Sequence, residues 1–504
     1  MRRVVVALLV ALVAPPARGE APVDADWFSQ YVRPILSERV RGEFVDWFRP
    51  PASAAPTGAG RYNFFGSQLR FGAKVAVPYV DVTVVGQDTR LANLPDDASS
   101  IPGLGNLGPG ANYFANSPHL NRDNTNQGET FLKEGWLRLH DLPSASGFTF
   151  DVGRFEHSDG LESMPTNPTL VWLKRQRIDE RLIGPFGYTQ VTRSFDGVRG
   201  AYERSIYELN AIAFHPTHGG YEISANRDMF DVSLAGLSAT AHPANDLVAT
   251  DFRLFYLYYE DRRFADRTKP GDNPPVKVDN RPAAVRRADT NAIALHMGGA
   301  HALAAIPLGP GTLDVLFWGV VQGGEWGTQI QDSWAYALEA GYQLPRLPWS
   351  PWLRAGYDQS SGDDNPNDDR HQTFFQVLPT ARLYAQFPFF NLMNSQDTFV
   401  QMILKPHARV TLRTDWHWLR LTEKKDLWYS GGGAPNDDIF GYAGIAANGR
   451  RELAQLVDLG VNVALLDRLS AYAYYGHAFG GGVVKKSFSG SDANYAYIEL
   501  TFRY

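Results

Sequence analysis

The residues in this chain best placed to do chemistry are cations spaced two or four apart. Arg39 and Arg41, Arg70 and Lys74, and Arg409 and Arg413 form such sets, while Arg138, Arg154, Arg193 and Arg199 lie in segments whose facing is less clear. Successive side chains of a strand point to opposite sides, so each even-spaced set shares one face. A guanidinium is a planar fork of donors that matches a carboxylate. Unit charges ~4 Å apart attract by about 1 kcal/mol in water and about 4 kcal/mol beside a protein wall, enough to select anions. Passage also demands release, which several weak sites provide better than one tight site. Glu43, Asp81, Asp314, Asp415 and Glu499 share the same water-facing stripes. Two readings therefore stay open. Arg41, Arg70, Lys74, Arg154, Arg193, Arg199, Arg409 and Arg413 guide an anion, or they pair with acids such as Glu43, Asp81 and Asp415 and only keep an interior polar.

Other motifs carry less. Gly103-Leu104-Gly105-Asn106-Leu107-Gly108 matches the dinucleotide fingerprint, but no βαβ unit surrounds it and Pro109-Gly110 argues against the helix that would hold a pyrophosphate. Asp363, Asn365, Asn367 and Asp369 alternate as calcium ligands often do, yet an EF-hand needs Gly where Asp368 stands and Glu where Phe374 stands, so a solvated acidic turn is expected. His215 with His218, and His296 with His301, lack a carboxylate or thiol at ligand spacing. Neither a Gly-x-Ser-x-Gly elbow nor a His-Glu-x-x-His pair occurs, so no catalytic residue, metal or cofactor is expected. Catalytic groups spread over separate strands would leave no local motif, which keeps an outer-membrane hydrolase as the alternative from the enzyme class.

The elements that must position these charges read as membrane strands. Leu69, Phe71, Ala73, Val75 and Val77 oppose Gln68, Arg70, Gly72 and Lys74, and similar alternation runs through Val80–Val84, Leu313–Gln322, Arg409–Trp418 and Val457–Val463. A charge facing lipid at mid-bilayer costs ~2 to 4 kcal/mol, so the charged faces turn to a lumen. Weaker segments, among them 39–48, 148–155, 190–202, 206–214, 247–259 and 378–387, bring the expected count to about 18, a width that holds an aqueous channel. Between them lie the long polar loops 91–128, 156–187 and 422–451. Strict up-and-down counting puts the 361–371 loop on the periplasmic side, against its length.

The ends and the composition agree. Met1-Arg2-Arg3, the apolar run Val4 to Ala14 and Ala17-Arg18-Gly19 predict a signal peptide over residues 1–19. Residues 20–38 are expected as a periplasmic segment, with a short helix over 27–38, and residues 39–504 as one barrel domain. Aromatics make up 13% of the chain and cysteine is absent, which suits interfacial girdles and excludes disulfides. The net charge of −6 excludes a nucleic-acid partner. Ala496, Ile498, Leu500, Phe502 and terminal Tyr504 alternate with Tyr497, Glu499, Thr501 and Arg503, like the assembly strand that closes bacterial outer-membrane barrels.

Arg39-Val40-Arg41-Gly42-Glu43-Phe44, Val152-Gly153-Arg154 with Ser158-Asp159-Gly160, Arg193 through Arg199, Ser361 through Pro366 and the final strand together resemble the alginate export family, in order along the chain. The resemblance implies a monomeric 18-stranded barrel in outer-membrane lipid, with an electropositive constriction that passes a carboxylate-bearing polysaccharide. Arg154 and Arg199 are the positions it carries over. It also implies anionic polysaccharide or small anionic solutes as ligands, with periplasmic export components as partners. A general or sugar-acid porin is the alternative channel.

Overall fold

The structure is a computed structural model that describes residues 29–116, 125–243, 247–265, 274–380 and 386–504. Its strands are β1 Val32–Asp46, β2 Arg61–Val77, β3 Val80–Ala92, β4 Gln127–Leu139, β5 Phe148–Phe155, β6 Phe195–Arg204, β7 Tyr207–Pro216, β8 Val232–Ala241, β9 Ala249–Asp261, β10 Ile293–Leu308, β11 Gly311–Trp326, β12 Gln329–Gln343, β13 Trp352–Ser360, β14 Ser395–His407, β15 Val410–Leu421, β16 Glu452–Leu466, β17 Leu469–Gly480 and β18 Asp492–Arg503. Each pairs antiparallel with the next, and β1 pairs with β18 from Ser37↔Arg503 to Asp46↔Asn494, closing an 18-stranded barrel with no free edge. No described helix is long and apolar enough to cross a membrane.

The two faces divide as the alternation predicts. Phe65, Phe71, Val84, Phe317, Val321, Trp416, Trp418, Leu459 and Ile498 point outward, where hydrocarbon covers them. Gln68, Arg70, Asp81, Thr83, Asp314, Gln322, Asp415 and His417 point inward. Trp416 and Trp418 stack on the outer face at 5.4 Å, and Trp334 and Tyr336 at 5.6 Å, as interfacial aromatics do.

One end carries turns as tight as residues 78–79, 205–206, 309–310, 408–409 and 467–468; the other carries the loops 93–126, 156–194, 361–394 and 422–451. The tight end is periplasmic and the long loops face outward. The 361–394 loop therefore lies outside, and the counting conflict has a physical cause. β8, Val-Ser-Leu-Ala-Gly-Leu-Ser-Ala-Thr-Ala, is built from small residues with weak alternation and escapes a hydrophobic reading. The expected strand over 378–387 is instead a plug segment: Leu378 is buried and bridges in parallel to Ile183, Phe387 packs on Trp47, and residues 381–385 lie outside the described part. One missed and one false strand preserve the total but invert the sidedness of everything between them.

Two boundaries also differ from expectation. The expected helix over 27–38 gives way to strand from Val32, because residues 32–38 find ladder partners in β2, Val32↔Val75 through Glu38↔Leu69. The predicted signal peptide lies outside the described residues. Pro109 does not block a helix but starts one, Pro109–Ala115, since a first-turn residue has no N–H bond to lose.

The long loops fold inward. The lumen loop, residues 156–194, starts its helix Pro168–Leu173 at Asn167, whose Oδ1 accepts from the N–H groups of Thr169 and Leu170 at 2.9 and 3.3 Å, and continues into a wider turn over Lys174–Ile178. Above it, Phe48, Phe387, Phe389, Trp428 and Phe488 form one aromatic cluster and Trp326, Phe375, Phe440 and Tyr442 another. The outer half of the barrel is thus capped by loops with an apolar core of their own.

Candidate functional site: the lumen and its charges

The lumen loop crosses the barrel because both walls hold it. On one side Arg39 donates to the carbonyl of Gly187 at 2.7 Å and Arg41 to that of Tyr188 at 2.9 Å. On the other, Arg177 and Arg181 reach Glu339 of β12 at 2.8 and 3.2 Å, and Arg354 of β13 joins the same carboxylate at 3.0 Å. Asp358 and Asp314 complete a fully buried set of three guanidinium groups and three carboxylates. In a low-dielectric interior such a set persists only when paired. Arg177, Arg181 and Glu339 carry no motif, and their long sequence separation hides the contact.

Most of the expected guiding cations are likewise paired. Arg41 bonds Glu499 at 2.8 Å and Glu43 at 3.2 Å. Arg70 bonds Glu156 at 2.8 Å, and Lys133, missed in sequence, joins it at 3.0 Å. Burial alone would raise the Glu156 carboxyl, but Arg70 and Lys133 outweigh it and hold it at about 2. Lys74 meets Asp81 at 2.7 Å; Arg154 grips Asp196 with two bonds, of 2.7 and 2.6 Å, and also Asp228; Arg199 and Arg138 share Asp151; Arg413 bonds Asp415 at 2.7 Å. Arg409 is not in the lumen. It occupies the exposed turn between β14 and β15, where Leu465 accepts its donor at 3.3 Å, because the strand begins one residue later than the alternation suggests.

Arg193 stands apart. It is 2% exposed, lies against the Phe186 ring at 5.1 Å, and gives one donor to the carbonyl of Gly432 at 2.6 Å. Its Nε and Nη1 have no partner, and Glu180 acts on it only through space. Burial lowers it to about 10, so it stays charged at neutral pH. It lines a cavity of about 90 Å3 beneath the cap, with Asn106, Asn112, Tyr221 and Ser430. Larger cavities lie toward the periplasm on either side of the lumen loop. One, of about 490 Å3, is lined by Arg138, Asp151, Arg199 and Glu208; the other, of about 500 Å3, by Trp172, Gln176, Arg413, Tyr472, Tyr497 and Arg503.

The candidate calcium residues turn inward on themselves. Asp363 Oδ1 accepts from the N–H of Asn365 at 2.8 Å, and Asn365 Oδ1 from that of Asn367 at 3.4 Å, while the Asp369 carbonyl accepts from Ile330 N–H. These are successive side-chain turns of an acidic loop.

A closed 18-stranded barrel with a polar, loop-divided lumen defines an outer-membrane channel protein. The sequence profile of the alginate export family matches residues 167–498, about two thirds of the chain, and the chain belongs to that family. The match contains Arg193 and Arg199 but begins after Arg154 and after the segment from Arg39 to Phe44. A comparison with curated proteins gave no match. Among solved structures, Acinetobacter baumannii OccAB1 is similar at 11% identity with a TM-score of 0.54, over 94% of this chain and 96% of that one. Pseudomonas aeruginosa OpdK, solved with vanillate, is similar at 9% and 0.52, over 94% and 98%. Pseudomonas aeruginosa OccK2 is similar at 10% and 0.52, over 94% and 97%. These likenesses show the fold.

Proposed function

We propose that the chain passes an anionic polysaccharide of the alginate type outward, with Arg193 as the cation that reads its carboxylates. The observation that supports this is the buried guanidinium on a cavity of about 90 Å3 with two donor nitrogens that have no partner, whereas Arg41, Arg70, Lys74, Arg154, Arg199 and Arg413 each meet a carboxylate. Paired cations make a polar wall, and a single unpaired one makes a selectivity element. Trp172, Tyr472 and Tyr497 beside Gln176, Asn462 and Arg413 give the periplasmic cavity flat apolar faces interleaved with donors, which suits sugar rings. Transit of a chain requires the cap to shift, since about 90 Å3 falls below the ~300 Å3 of small-ligand sites. A smaller shift would admit a small organic anion, which is the second reading, a porin for such solutes, and OpdK offers a vanillate-bound example of the fold.

Reversal potentials across a planar bilayer under a salt gradient, with alginate oligomers added to the periplasmic side, test both. Anion preference with current block, both lost in Arg193→Ala, is expected. Cation preference in the unaltered protein ends both readings, whereas anion preference without oligomer block leaves only the second.

A further inference from the structure

We infer that the lumen wall of β14, β15 and β16 holds a divalent transition-metal site, with Asp415, His417 and Asp458 as protein ligands. One ligand atom from each lies within 4.8 Å of the others. The three residues are 2, 1 and 3% exposed.

The backbone register creates the problem that a metal would solve. Asp415 and Asp458 are direct cross-strand partners on one face, and like charges placed so are destabilising even in the open. Asp397 lies near them on β14, while Arg413 is the paired guanidinium of this patch. Three carboxylates thus face one guanidinium and one imidazole in a buried wall, an excess of acidic groups. The neighbouring set of Arg177, Arg181 and Arg354 is already matched by Glu339, Asp358 and Asp314. A divalent cation neutralises that excess.

The hydrogen bonds divide each ligand into a held atom and a free one. Asp397 Oδ2 takes the Nδ1 side of His417 at 2.8 Å, which turns Nε2 toward the two aspartates. Arg413 donates to Asp415 Oδ2 at 2.7 Å, and the Tyr474 hydroxyl donates to Asp458 Oδ1. The atoms left over, Asp415 Oδ1, His417 Nε2 and Asp458 Oδ2, are buried and have no hydrogen-bond partner. Outer carboxylate and donor groups that fix a ligand's far atom are the supporting shell of metal sites. Gln401, the register partner of Asp415, adds a buried amide whose oxygen is also unpartnered and supplies a further oxygen donor. One imidazole nitrogen with two or three oxygens suits zinc or manganese, and a site without thiolate disfavours copper(I).

The experiment uses the full chain purified in detergent, stripped with EDTA and titrated with zinc, then manganese and calcium, by calorimetry and elemental analysis. Its fold is checked by heat-modified gel mobility. Retention of about one zinc per chain is expected, with loss in His417→Ala and Asp458→Asn and about tenfold to a hundredfold weaker binding in Asp397→Asn. Cobalt loaded into the unaltered protein, which needs no variant to fold, gives a visible d–d spectrum perturbed by His417→Gln. The proposal is overturned if the stripped protein takes up no zinc or manganese. It is equally overturned if uptake persists unchanged in a folded Asp458→Asn barrel, or if calcium alone binds.

Discussion

Glu339 decides whether the lumen loop stays docked. Its carboxylate receives Arg177 at 2.8 Å, Arg181 at 3.2 Å and Arg354 at 3.0 Å, all with fully buried side chains. Glu339→Gln keeps the volume and one acceptor but leaves three guanidinium groups facing Asp358 and Asp314 alone. Removing one partner of a buried ionic cluster costs about 3 to 5 kcal/mol, because the remaining charge is stranded away from water. At about 1.4 kcal/mol per factor of ten, the ratio of docked to undocked loop falls by about two to four orders of magnitude. The barrel ladder is untouched, so the protein still folds, while amides within 170–190 exchange faster and single-channel conductance rises. Hydrogen exchange and planar-bilayer recording on the same preparation read the two effects. Unchanged exchange and conductance in a folded Glu339→Gln barrel would refute the idea that this cluster anchors the loop.

Further outcomes follow from the same structure. Arg409→Ala leaves ion selectivity at the unaltered value, whereas Arg413→Ala frees Asp415 in the lumen and shifts reversal potentials toward cations. The Glu156 carboxyl is depressed to about 2, so its tether to Arg70 and Lys133 is complete above its ordinary value near 4.5 and is lost as pH falls toward 2. Protease sensitivity of the lumen loop rises through that window, and Glu156→Gln removes the transition. Gly153 adopts φ +125°, and a Cβ there would stand 2.3 Å from the Gly135 carbonyl of β4. Gly153→Ala therefore disrupts the β4–β5 pairing at a cost of at least ~1 to 3 kcal/mol, seen as loss of the heat-modifiable folded band.

The alternation of side chains was legible in the sequence because it answers to two solvents that meet every strand alike. Gln68, Arg70 and Lys74 could face only water, and Phe71 and Val75 only hydrocarbon, whatever the neighbouring strands were. That local rule sufficed for the barrel class and the inward facing of Arg41, Arg70, Lys74 and Arg413, while the strand number came out right because one missed and one false strand cancelled. It failed where a strand is made of small residues, as in β8, and where an apolar segment is buried by loops, as at Leu378, since periodicity reports burial without naming what does the burying.

Pairing was decided by the tertiary structure alone. Whether Arg154 is free or bound depends on Asp196 and Asp228, 42 and 74 residues away. Arg193 is left without a carboxylate only because a lumen loop and the 422–451 loop meet around it. The sequence determined which side chains must meet water; the fold determined which of their charges are already spent on one another, because Coulomb attraction depends on separation in space and is blind to separation along the chain.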